Sequence, residues 1–139
     1  MGNFQSIQKA NFEDVQYAIT NRDNSFIIST LHSHETCLIQ GTVPFTREEE
    51  VINNLMSKKK KDVTIIVYGR NANDDSVVSK YKQLQGLGFH NLYVYLGGMF
   101  EWLLLQDIYG TGNFPTTAKE LDILKYKPAK TMGMRLIAY

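Results

Sequence analysis

A chain of 139 residues can bury about 68% of its unfolded surface, enough for one core without disulfide or metal staples. Its 15 Lys and Arg against 14 Asp and Glu leave a net charge of +1, which excludes the strongly basic surface of a general nucleic-acid binder. The single cysteine, Cys37, excludes an internal disulfide framework and any site built on several thiolates. No apolar run reaches the roughly 18 residues of a membrane span, and the N-terminus carries no signal-peptide pattern. A single-domain protein of cytoplasmic type is the starting expectation.

Phe12, Val15, Tyr17 and Ile19, with Asn11 as N-cap, predict a short first helix. The turn residues Asn21, Arg22, Asp23 and Asn24 then lead into a β-branched, apolar strand over 26–30. A polar stretch over 31–35 gives way to Cys37, Leu38 and Ile39, which end at Gly41. Thr46 and Glu49 have capping-box spacing and are expected to open a helix running to Ser57, with Val51, Ile52 and Leu55 as its apolar stripe. Residues 63–68 form an almost unbroken apolar run, the pattern of a parallel strand covered on both faces. A polar loop over 69–75 enters a helix carrying Val77, Val78, Tyr81 and Leu84, with Gly86 and Gly88 as stop signals. A second buried strand over 92–96 meets Gly97 and Gly98, and a helix with Phe100, Trp102, Leu103 and Leu105 runs from Met99 to Tyr109. The alternation defines an α/β chain without internal repeats. From Gly110 to Tyr139 the sequence reads as an appendage, with Thr117 and Glu120 in capping-box spacing on one short helix.

Two strand–loop–helix units in series, then Leu87-Gly88-Phe89, a strand, Gly97-Gly98 and Trp102, resemble the rhodanese-like family. Cys37-Leu38-Ile39-Gln40-Gly41-Thr42 is similar to a worn copy of that family's Gly-His-Ile-x-Gly-Ala segment. The resemblance covers residues 5–109 and implies a three-layer α/β/α fold around a central, mostly parallel sheet. It divides the chain into a domain over 1–112, with its core complete by about Tyr109, and an extension over 113–139. Leu121, Ile123, Leu124, Met132, Met134, Leu136 and Ile137 make that extension too apolar for a solvated tail. It is expected to pack on its own domain or on a partner, a second copy of the chain being one candidate.

In that family the chemistry depends on a cysteine at the end of the central strand, its thiolate cradled by backbone N–H groups at a helix N-terminus. The resemblance places Gly69 at that position, while Cys37 falls in the earlier, worn segment. Catalytic relatives hold their anion with a basic residue near the loop's end, where this chain has Asp74 and Asp75. Those carboxylates suit N-capping and the helix dipole, and they would occupy or repel an anion. Ala72-Asn73-Asp74-Asp75-Ser76 is similar to the Gly-Asn-Asp-Ser loop of rhodanese domains joined to molybdopterin-synthase sulfurylases, with one residue added. Arg70 reads as a solvated surface charge and Asn71 as a neutral loop residue. Ile28-Ser29-Thr30-Leu31 lacks both charges of the family's Ile-Asp-Val-Arg. The resemblance thus implies a catalytically inactive domain, without cofactor or metal, that binds protein or serves a structural role. The alternative is a sulfurtransferase or thiol redox protein using Cys37, which would need an exposed thiol of low pKa.

Met1-Gly2-Asn3-Phe4-Gln5-Ser6 fits the N-myristoylation pattern at Gly2, against the plain reading of coincidence. One acyl chain holds a membrane only marginally, and Lys58, Lys59, Lys60 and Lys61 would supply the second signal. The plainer reading, preferred here, makes the lysines the solvated end of a helix, where cations suit the dipole. His32, His34, Glu35 and Cys37 lie close together in sequence, but their spacing fits no zinc pattern. They read as loop residues, with Cys37 a small buried hydrophobe.

Overall fold

The computed structural model describes residues 7–132, and its elements alternate as the apolar runs require. They are β1 (Lys9–Ala10), α1 (Phe12–Thr20), β2 (Ser25–Ser29), α2 (Phe45–Ser57), β3 (Thr64–Tyr68), α3 (Asp75–Gly86), β4 (Leu92–Tyr95) and α4 (Gly98–Tyr109). A 3-10 helix, Ile123–Tyr126, follows. The four strands pair in the order β1-β4-β3-β2, all parallel. An isolated antiparallel bridge, Ile39 to Thr116, lies outside them.

Side-chain alternation along the strands divides the core in two. Ile27, Ile66, Tyr68 and Tyr95 point to one face, against Val15 and Ala18 of α1 and Met99, Trp102 and Leu103 of α4. Ile28, Ile65, Val67, Leu92 and Val94 point to the other, against α2 and α3. The result is a three-layer α/β/α arrangement. Phe114 and Tyr126 belong to the first of these clusters, so the core draws on residues well beyond Tyr109.

Side-chain caps open α1 and α3, and none opens α2 or α4. Asn11 and Asp14 close a reciprocal capping box on α1, each side chain accepting from the other residue's backbone N–H. α2 does not begin on Thr46: Pro44 holds the N-cap position with φ −58° and no side-chain cap bond. The helix therefore begins at Phe45, one residue before the expected capping box, and without a side-chain cap. At the other end, Lys60 N–H donates to Leu55 C=O at 2.9 Å and Lys59 N–H to Met56 C=O at 3.1 Å. That closes a Schellman turn with Lys59 at φ 56°, a place glycine usually takes. The two-residue β1 carries no periodic signal and is absent from the sequence-based expectation.

Tyr68, at the end of β3, is wholly buried, and its hydroxyl accepts from Ile39 N–H at 3.1 Å and lies 2.8 Å from Thr42 Oγ1. Burial pushes its pKa up to about 12, against the smaller opposing effect of the Thr42 and Ile39 hydrogen bonds. The folded protein therefore holds this proton after the unfolded chain has lost it. Stability from this group is intact below about pH 10 and falls as pH rises toward 12, by roughly 2–3 kcal/mol in total. Urea titrations between pH 9 and pH 12 are expected to show that loss. Tyr68→Phe should reduce that loss, the remainder belonging to Tyr95 and Tyr126, whose burial also raises their pKa, while lowering stability near neutral pH; an unchanged slope would refute the assignment.

Candidate functional site

Parallel α/β sheets place their crevice at the carboxyl ends of strands whose connections leave on opposite faces. Here that point lies between β3, which leads to α3, and β4, which leads to α4 on the other face. The loop 69–75 after β3 and the Gly97-Gly98 turn after β4 meet there. Gly98 sits at φ +64°, and a Cβ on it would lie 2.6 Å from Gly69 O. That close approach lets the first N–H groups of α4 serve the loop: Met99 donates to Gly69 C=O and Phe100 to Arg70 C=O, both at 2.9 Å. This contact explains Gly98; a Cβ on Gly97 would instead meet the Glu101 side chain.

The loop closes on its own carboxylate. Asp74 caps α3, accepting from Ser76 N–H at 3.1 Å, and also accepts Arg70 N–H at 2.9 Å and Ser76 Oγ at 2.6 Å. Partial burial works to raise its pKa, but the donors from Arg70 and Ser76, with the Arg70 charge, hold it below the usual carboxylate value. Asp75 follows in the first turn of α3, as the sequence suggested. A Cβ built on Gly69 would lie 2.6 Å from Val77 Cγ2 and 2.8 Å from Thr30 Oγ1, with Asp74 Oδ2 closer still. Thr30 itself bonds Ser76 Oγ at 2.8 Å. Position 69 has no space for a side chain, and an internal anion accepts two of the loop's N–H groups. In the cleft beside it the cation is Lys80, paired with Glu48.

The C-terminal extension packs on the first part of the loop, at Arg70 and Asn71. Arg70 is not simply a solvated charge: its guanidinium donates to Lys125 C=O and stands 5.5 Å from the centroid of the Tyr126 ring. Asn71, itself buried, donates to Tyr126 C=O at 2.8 Å. The Tyr126 hydroxyl donates to Glu35 at 2.5 Å, and Lys125 Nζ reaches the same carboxylate at 3.1 Å. Burial raises the Tyr126 pKa, and the Glu35 charge adds to that. Ala72 and Asn73 are exposed at the loop's tip.

The helix expected on Thr117 and Glu120 is not formed. Thr117 is used by tertiary pairing instead: its hydroxyl accepts from Leu38 N–H at 3.0 Å and donates to Thr36 C=O at 2.8 Å. Its own N–H donates to Leu38 C=O, and Gln40 N–H to Pro115 C=O. Glu120 bonds Asp122 N–H and Lys125 rather than closing a cap.

Cys37 is buried beneath this strand-like strap, its thiol 3.3 Å from Ala118 C=O. Burial raises its pKa, and the Glu120 and Glu35 charges act in the same direction. His32 and His34 are exposed with ring centroids 4.8 Å apart, and no metal-binding cluster occurs among the described residues. Glu35 differs from its reading as a surface residue, since its side chain is only 10% exposed. A nearby acid gives no sequence signal that a tyrosine 91 positions on will claim it. Lys58, Lys59 and Lys60 are exposed at the end of α2, with Lys61 half-buried, and Gly2 lies outside the described residues. No helix among the described residues is long and apolar enough to cross a membrane.

The chain belongs to the rhodanese-like family, whose domain model matches residues 21–105. Solved structures with the same fold include the BH2092 protein of Bacillus halodurans, at 16% identity and TM-score 0.57, covering 74% of each chain. The Alr3790 protein of an Anabaena species matches at 19% identity and TM-score 0.54, over 84% of this chain and 86% of that one. The solution structure of its rhodanese-like domain gives 20% identity and TM-score 0.53, over 88% and 86%. At these identities the likeness is one of fold. No curated protein matches the sequence.

Proposed function

We propose that this chain is a catalytically inactive rhodanese-like domain serving as a protein-binding or structural module. The observation that carries the reading is the filled loop. Gly69 stands where the family resemblance places the nucleophile, its Cβ space is occupied, and Asp74 takes the Arg70 and Ser76 N–H groups. An anionic substrate would meet a carboxylate instead of a positive cup, and the extension engages Arg70 and Asn71 beside it. Cys37 is a poor substitute nucleophile, because a buried thiol of raised pKa carries little thiolate at neutral pH.

Purified protein is expected to transfer sulfur from thiosulfate to cyanide, and to hydrolyse aryl phosphates, no faster than buffer. A clear rate abolished by Cys37→Ser would move the chemistry to that thiol. A clear rate that survives the substitution would place it elsewhere on the chain. Either outcome defeats the inactive reading.

A further inference from the structure

The lysines after α2 are not used by the helix they follow. α2 ends at Ser57, and backbone N–H groups take its last carbonyls: Lys58 donates to Asn54, Lys59 to Met56 and Lys60 to Leu55. The side chains of Lys58, Lys59 and Lys60 are exposed. No ammonium of the run, Lys61 included, makes an ion pair or a hydrogen bond among the described residues. Lys59 holds the left-handed φ of 56° that glycine adopts with less strain, so this turn keeps a cation where the backbone favours none. In the neighbouring turn, joined by Thr64 N–H to Asn24 C=O, Arg22 and Asp23 cancel. Asp62 offsets one lysine, which leaves three positive charges in excess at this corner.

The fold brings the chain's first residues to the same corner. Gln8 N–H donates to the Tyr81 hydroxyl at 3.2 Å, and its side-chain amide donates to Leu92 C=O at 3.1 Å. Leu92 is the first residue of β4 and pairs with Ile65 of β3, so Gln8 stands at the amino end of the sheet. Ile7 packs on the cluster beneath α2 and α3, the layer that carries the lysines. Lys61 reaches toward the turn before β4, where a Cβ on Gly88 would lie 2.9 Å from its Nζ. Residues 1–6 match the N-myristoylation pattern, and the five steps from Gly2 to Ile7 span at most about 18 Å. One acyl chain holds a bilayer only marginally, and a basic second signal acts only if it meets the same lipid surface. We propose that this end of the sheet faces an anionic membrane, with myristoylated Gly2 entering the bilayer and Lys58, Lys59 and Lys60 against its acidic headgroups. The acyl group comes from an acyl thioester through a host transferase. After Met1 is hydrolysed away, the Gly2 amine attacks the thioester carbonyl, an amide forms, and the thiol leaves with the amine's proton. A nucleic acid or an acidic protein would use the lysines and not the acyl chain. The inference is independent of whether the loop is catalytic.

The full chain, co-expressed with an N-myristoyltransferase, should lose Met1 and carry the acyl group by intact mass. In vesicle co-sedimentation at about 100 mM salt, it should bind phosphatidylcholine vesicles with about one-third phosphatidylserine roughly tenfold or more tightly than phosphatidylcholine alone. Replacing Lys58, Lys59 and Lys60 together by glutamine should remove that preference, as should about 1 M salt. Gly2→Ala should weaken binding by about tenfold or more. Lys59→Gln alone should weaken it about fivefold. Lys127→Gln, which removes an exposed cation next to Tyr126 at the other end of the sheet, should leave it unchanged. Wild-type melting temperatures will establish that the variants fold. A transferase that acylates a control peptide but leaves this chain unmodified overturns the proposal. So does binding indifferent to phosphatidylserine, or a preference that survives the lysine substitutions. Lysine-dependent capture of single-stranded DNA by a chain that ignores the vesicles overturns it as well.

Discussion

Replacing Tyr126 by alanine is expected to lower the unfolding free energy by about 3–5 kcal/mol, the range for deleting a large buried aromatic side chain. The residue is 0% exposed and belongs to the same core cluster as Tyr68, Trp102 and Phe114. Its loss opens a cavity and removes the ring from beside Arg70. It also takes the hydroxyl donor from Glu35, whose carboxylate is then held by Lys125 alone. Tyr126→Phe isolates that last effect and should cost about 1–2 kcal/mol. Urea denaturation followed by tryptophan fluorescence reads both, Trp102 being the only tryptophan and lying in the same cluster. If Tyr126→Ala shifts the midpoint no more than a surface substitution, Tyr126 does not anchor the extension to the folded core.

Gly69→Cys is expected to destabilise the protein by about 3 kcal/mol, the upper part of the usual range for overpacking, and to confer no sulfurtransferase activity. The cost comes from the Cβ, which would crowd Asp74, Val77 and Thr30 at once. Thr30 is the residue just after β2, and Val77 is a buried residue of α3, so the crowding cannot be relieved by turning one flexible side chain. Gly69→Ala should therefore cost nearly as much as Gly69→Cys, a comparison that separates shape from sulfur chemistry. A thiol placed there would also face the Asp74 carboxylate, which disfavours the thiolate. Full stability together with turnover in Gly69→Cys would show that the loop keeps a working cup.

The strands could be read from the sequence because their burial on both faces leaves continuous apolar runs, as in residues 63–68. The loop could be read because its charges are local: Asp74 caps the helix that starts one residue later. What could not be read depends on partners far along the chain. Thr117 and Glu120 have the spacing of a capping box, yet Thr117 is taken by Thr36 and Leu38, some 80 residues away, and no helix forms. Arg70, Glu35 and Tyr126 each look ordinary in their own surroundings. They become one unit only when the extension folds back. The start of α2 differs from the capping-box spacing because the helix opens at Phe45, after Pro44, with no side-chain cap to mark it.

The fold-back has a temporal consequence during synthesis. Glu35 and Tyr126 are 91 residues apart, which at about 5–20 residues per second separates their appearance by roughly 5–20 s. For most of that interval Cys37 lacks the strap that covers it, and the face built by Trp102, once made, waits first for Phe114 and then for Tyr126. The nascent chain can form its parallel strands in sequence but must hold one apolar face open until Tyr126 has been made. A polypeptide released before Tyr126 is made would present that open face to chaperones and proteases, so the packing of one tyrosine marks when this domain can close.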